Sequence, residues 1–197
     1  MKRALQRRSL GPPPDAETLH DAALSYLARY AATEAGLRRV LERRVDRWAR
    51  AAQEGGGADD LAGQAEKMRS LIRDVVARLV AAGAVNDSAF AESRSRSLMR
   101  AGRSRRAVVA QLRAKGVAGE AARAAVPEDP ATELAAALVL ARRRRIGPFR
   151  QSAAIDPAQR QRELAVMARA GFPQDLARRA LAMATDEAEA LVNALRR

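Results

Sequence analysis

Ser104-Arg105-Arg106-Ala107-Val108-Val109-Ala110-Gln111-Leu112-Arg113-Ala114-Lys115-Gly116-Val117 reads as one complete helix. Ser104 can accept a hydrogen bond from the amides of the first turn. Val108, Val109 and Leu112 recur at helical spacing on one face. Gly116 is the residue that most readily takes the left-handed conformation ending a helix. A shift of 55 residues reproduces the frame: Leu112 to Val117 falls on Met167 to Phe172, with Gly116 on Gly171. The same shift places Arg105 on Arg160, Val109 on Leu164, Arg123 on Arg178 and Val126 on Leu181. A shift of 71 lays Leu19 on Phe90, Leu27 on Leu98, Thr33 on Ser104, Leu37 on Val108 and Leu41 on Leu112. Alanine-rich helices match one another cheaply, so the coincidence of caps, anchors and terminal glycines carries the repeat.

Working outward, the whole chain reads as helices. Asp15 caps a helix carrying Leu19, Ala23, Tyr26, Leu27 and Tyr30, and Thr33 opens another carrying Leu37, Val40, Leu41, Val45 and Trp48. Residues 51–63 hold Gly55-Gly56-Gly57 and little to bury, which predicts a flexible insertion. A third helix is expected from about Glu66 to Gly83. Asn86-Asp87 caps a fourth that ends near Gly102, and a short sixth spans Glu120 to Val126. Thr132 is expected to cap the helix that ends in Arg142-Arg143-Arg144-Arg145. Asp156-Pro157 and Pro173 open two more, and a helical tail follows Asp186. The expected organisation is a basic, Pro-rich tail at 1–14, repeats at 15–84, 86–126 and 131–184, and a C-terminal tail at 185–197. Each unit is too small to stand alone, so neighbours must share apolar faces. The fold class is therefore all-α: three tandem three-helix repeats forming an elongated, curved array.

Composition narrows the chemistry. The 197 residues carry 36 Lys+Arg against 23 Asp+Glu, a formal +13, and all but three of those cations are arginines. There is no cysteine, so disulfides, thiolate nucleophiles and Cys-based metal sites are excluded. The longest apolar run, Leu134 to Ala141, falls far short of the roughly 20 residues that span a bilayer. The basic N-terminus is followed by no apolar stretch of a secretory signal. A soluble, cytoplasmic protein is the expectation. His20 is the only histidine, and no Gly-x-Ser-x-Gly elbow or phosphate-cradling Gly-rich loop with its lysine occurs. His20 beside Asp21 reads as a surface pair. Asp59-Asp60 and Glu128-Asp129 read as loop solvation or helix-start charges. No catalytic residue, metal site or cofactor is expected.

The basic clusters are the informative feature. From Asp87 to Arg123 nine cations face three anions, and from Arg142 to Arg162 seven arginines face one aspartate. Arginine's planar fork suits phosphate, and the scarcity of aromatics argues against base stacking. The candidate partner- and DNA-binding residues are Arg94, Arg100, Arg103, Arg105, Arg106, Arg113, Lys115, Arg142, Arg143, Arg144 and Arg145. Such contacts imply sequence-independent binding to single- or double-stranded DNA. Two other classes fit the charge: a basic helical DNA- or RNA-binding protein without a protein partner, and a ribosome-associated protein. Ser104 to Val126 could pass for a helix-turn-helix, but its second helix lacks the Asn, Gln or Ser that read base edges.

Three stretches carry a resemblance: Ala23-Leu24-Ser25-Tyr26-Leu27-Ala28-Arg29-Tyr30, then Val76 to Ala91 through Gly83 and Asn86-Asp87, then Leu112-Arg113-Ala114-Lys115-Gly116-Val117. In that order they resemble the RecX family of regulators of the RecA recombinase, over roughly residues 16–184 and most strongly over 76–117. The insertion and Gly36 depart from the pattern in the first unit. The resemblance implies a non-enzymatic modulator of DNA repair, recombination and the SOS response. It would lie in the groove of the RecA–DNA filament and limit ATP hydrolysis, strand exchange and filament growth, acting as a monomer.

Overall fold

A computed structural model describes residues 12–55, 60–151 and 156–196, and every regular element among them is helical. In chain order they are α1 (Ala16–Leu27), α2 (Glu34–Glu54), α3 (Leu61–Ala81), α4 (Asp87–Arg100), α5 (Arg105–Ala114), α6 (Gly119–Ala124), α7 (Pro130–Arg144), a 3-10 turn at Gly147–Phe149, α8 (Pro157–Arg169), α9 (Gln174–Ala182) and α10 (Thr185–Arg196). They fall into two compact units, residues 1–87 and 88–197.

In the first unit α3 is the central helix, with α1 and α2 packed against it. Its core gathers Leu19, Leu37, Leu41, Val45, Met68, Ile72, Val75 and Val76, all buried. Asp15 caps α1 through the Thr18 amide at 2.8 Å. Thr33 caps α2 through the Gly36 amide at 2.9 Å, and Asp87 accepts the Glu34 amide at 2.7 Å, tying the end of the unit to the start of α2.

The structure corrects the insertion. Helix α2 continues through Ala51-Ala52-Gln53-Glu54, and α3 begins at Leu61 rather than near Glu66. Ala52 is buried, so alanine packing carries the helix past the point where the sequence loses its large apolar residues. Asp60 caps α3, accepting the Gly63 amide at 3.0 Å. The expectation of flexibility at residues 56–59 lies outside the described residues, as does most of the expected N-terminal tail.

The second unit has one core running from α4 to α10, including Leu98, Val108, Leu112, Leu138, Met167, Leu181 and Val192. Helix α7 is its axis: Leu134 to Val139 are buried without interruption, because α9, α10 and the 3-10 turn all pack on it. Asp129, not Thr132, caps α7, with Pro130 at the first position. A carboxylate followed by a proline outcompetes a hydroxyl three residues on. Residues 185–196, expected as a tail, form α10, which buries Ala188 and Val192.

The two corners singled out by the sequence repeat close in the same way. At the end of α5, Gly116 has φ +98° and the Val117 amide returns to the Leu112 carbonyl at 3.1 Å. At the end of α8, Gly171 has φ +87° and the Phe172 amide returns to the Met167 carbonyl at 3.2 Å. In each the residues joined by that bond are buried, so the turn and the apolar contact across it form together.

Candidate functional site

The structure joins the two arginine clusters that are separate in sequence. Helix α4 ends at Arg100 and the chain turns at Gly102, where an added Cβ would meet the Leu140 backbone nitrogen at 2.9 Å and the Val139 side chain at 3.0 Å. Only glycine permits that approach, and its φ of +80° demands glycine independently. The contact brings the end of α4 against the last turns of α7. There Arg143 donates to the Ala101 carbonyl at 2.9 Å, serving one of the carbonyls that α4 leaves open at its C-terminus. Arg100 and Arg103 are exposed beside that bond, as are Arg144 and Arg145 on the α7 side, while Arg142 is half-buried. Part of the Arg142 to Arg145 run is therefore structural: Arg143 holds a helix end. Arg145 takes φ +55°, a conformation that costs a side-chain-bearing residue roughly 1–2 kcal/mol.

A second group surrounds a cleft of about 800 Å³ between α5, α6, α7 and the α8–α9 turn. Arg105, Arg106, Arg113 and Arg123 line it, with Val109 and Phe172 beneath. Arg105 is engaged: its guanidinium pairs with Glu128 and its amide donates to Glu133 at 3.3 Å. Arg106, Arg113 and Arg123 form no ion pair with another described residue. Arg123 was absent from the candidate set, although the 55-residue repeat marks it. Ser104 fixes the cleft's wall, accepting the Ala107 amide at 3.2 Å and donating to the Ala170 carbonyl at 2.6 Å. Arg94 lies half-buried on α4, and Lys115 is exposed at the C-terminus of α5; neither lines the cleft.

A third arrangement was not expected at all. Glu163 of α8 is buried, its side chain 5% exposed, and accepts the Gly147 amide at 3.0 Å and Arg150 at 2.8 and 3.3 Å. Burial alone would push its carboxyl up, but the hydrogen bonds from Arg150 and Gly147 outweigh it and hold the group below the usual glutamate range. Arg150, counted among the free cations of the second cluster, is thus neutralised. Asp129, which caps α7, is likewise held low, first by the Thr132 hydroxyl and then by backbone amides.

His20 stands half-buried, its Nδ1 3.9 Å from Asp21. Among the described residues no three His, Asp or Glu side chains gather as a metal-binding group, and no helix is long and apolar enough to cross a membrane.

Fold and site define the class: an all-helical repeat protein with a cationic surface built at helix ends and corners. Comparison with known proteins gives the family. Residues 86–126 match the second three-helix domain of RecX. A protein of Myxococcus xanthus (strain DK1622), named regulatory protein RecX, is 39% identical over 165 residues, covering 83% of each chain. Another of that name, from Agrobacterium fabrum (strain C58), is 38% identical over 112 residues, covering 56% of this chain and 58% of its own. No solved structure matches. The chain belongs to the RecX family.

Proposed function

We propose that this protein is a non-enzymatic, cytoplasmic modulator, mainly an inhibitor, of the RecA recombinase. It acts as a monomer on the RecA–DNA filament, limiting ATP hydrolysis, strand exchange and filament growth. Membership of the RecX family supports the recombinase as partner. The observation carrying the DNA side is the α5–α6 cleft: the guanidinium groups of Arg106, Arg113 and Arg123, without an ion-pair partner among the described residues, stand around a cleft lined also by Val109 and Phe172. Clustered like charges repel one another, and a phosphate backbone relieves that repulsion without reading sequence.

Two measurements test the reading. Binding to bare duplex DNA should weaken with salt, with a log–log slope near −0.9 per phosphate neutralised. Replacing Arg106, Arg113 and Arg123 together by Ala should flatten that slope by about 2–3 units. The second measurement is binding to recombinase-coated DNA, which should exceed binding to the same DNA bare, with ATP hydrolysis falling at substoichiometric protein. A pure nucleic-acid binder gains nothing from the coat. Equal or weaker binding with unchanged ATP hydrolysis removes the recombinase from the reading and leaves a basic helical DNA binder.

A further inference from the structure

The 55-residue repeat relates cavities as well as helices. The α5–α6 corner presents Arg105, Val109, Arg123 and Val126. One repeat on, the α8–α9 corner presents Arg160, Leu164, Arg178 and Leu181. Three members of the first set other than buried Val126 line the 800 Å³ cleft. All four of the second line a separate cavity of about 340 Å³, with Arg150 and Glu163 at its wall. We infer that this second cavity is a phosphate-binding pocket, the counterpart of the α5–α6 cleft. The inference rests on the phosphate reading of that cleft.

The charge arrangement supports it. Arg150 and Glu163 cancel, because they are paired in the wall. Arg160 from α8 and Arg178 from α9 are exposed and form no ion pair with another described residue. The pocket is left with two guanidinium forks from different helices beside an apolar surface of Leu164 and Leu181. Two forks can bind the oxygens of a phosphate group through parallel N–H donors. The volume lies within the usual range of small-ligand sites. One substitution distinguishes the copies: the repeat places Glu163 where the first corner has buried Val108. That carboxylate holds Arg150 in the wall and so leaves fewer cations for a ligand than the first corner has. The α8–α9 pocket is the weaker of the two.

The phosphate can belong to a nucleic-acid strand or be free in solution, and the test separates these. Arginine Nε resonances are followed in the full chain while inorganic phosphate, or a short single-stranded oligonucleotide, is added. Arg160 and Arg178 should shift together with Arg106, Arg113 and Arg123 on adding the oligonucleotide. A shift of Arg160 and Arg178 with inorganic phosphate alone assigns the pocket to a free ligand. In parallel, Arg160→Gln with Arg178→Gln should lower the single-strand salt slope by about 0.7, the value for one phosphate. The control pair Arg169→Gln with Arg179→Gln removes the same charge from exposed positions of the same two helices and should change the slope less. Unmoved Arg160 and Arg178 resonances in both titrations, or an equal effect of the control pair, overturn the pocket while the α5–α6 cleft stands. If Arg106, Arg113 and Arg123 are also unmoved by the oligonucleotide, the phosphate reading of the cleft falls too.

Discussion

The corner between α5 and α6 and the corner between α8 and α9 share a frame, but one core position is apolar in the first and ionisable in the second. Both end a helix on a glycine with positive φ, both return an amide to a buried Leu112 or Met167, and both carry an arginine on each helix. Val108 is fully buried in the first, whereas Glu163 is buried in the second and brings Arg150 with it. A repeat therefore preserves the backbone solution while one side chain changes the charge available at the surface. Counting cations along the sequence misses this, because the neutralising partner is inside.

The comparison is broken most directly at its shared anchors. Leu112→Ala and Met167→Ala remove fully buried side chains from equivalent positions of one core. Each should cost roughly 2–5 kcal/mol in denaturant unfolding. A cost within about 0.5 kcal/mol at either site would mark that side chain as a surface group and end the equivalence.

The difference between the corners is tested by Glu163→Ala. Removing one partner of a buried pair leaves Arg150 and the Gly147 amide without their acceptor, and the expected cost is about 3 kcal/mol at pH 7. The folded-state carboxyl titrates below its unfolded value. Its contribution is therefore complete above the ordinary glutamate value of about 4.3 and is lost as pH falls through the lower folded value. The gap between wild type and variant should close on acidification below pH 4. A gap that stays constant would mean that packing, not charge, sets the cost.

How much of this was legible depended on whether the cause was local. Asp15, Thr33, Ser104 and Asp156 act as the caps that their sequence positions indicate, since a cap and the amide it serves lie within three residues. Gly116 and Gly171 were readable for the same reason. Arg106 and Arg113 were found by charge alone. What escaped were partners distant in sequence: Glu163 is 13 residues from Arg150, and Arg143 is 42 from Ala101. A glutamate on a helix looks solvated until its neighbours are known. The long α2–α3 pair escaped because three glycines and the loss of large apolar residues outweigh the helix propensity of Ala51 to Glu54 in a local reading, while burial of Ala52 reverses that balance in the fold.

The smallest effect expected is at Arg145, the left-handed residue closing α7 where the two corners use glycine. Arg145→Gly relieves the strain of a side chain at φ +55° and adds backbone freedom to the unfolded chain. The net should be a gain of up to about 1 kcal/mol in thermal unfolding. A loss would show that the Arg145 side chain makes a contact that outweighs its backbone strain.

Helix α7 also sets a schedule for synthesis. It is the most thoroughly buried helix of its unit, yet α9 and α10, which cover it, follow it in the chain. At about 5–20 residues per second, the ribosome needs several seconds to make the roughly fifty residues from Arg145 to Arg196. Throughout that interval the apolar surface of Leu134 to Val139 has no α10 to cover it. The N-terminal unit, whose core is complete by Val85, faces no such wait. The nascent C-terminal unit thus leaves apolar surface uncovered for longer than the N-terminal unit does.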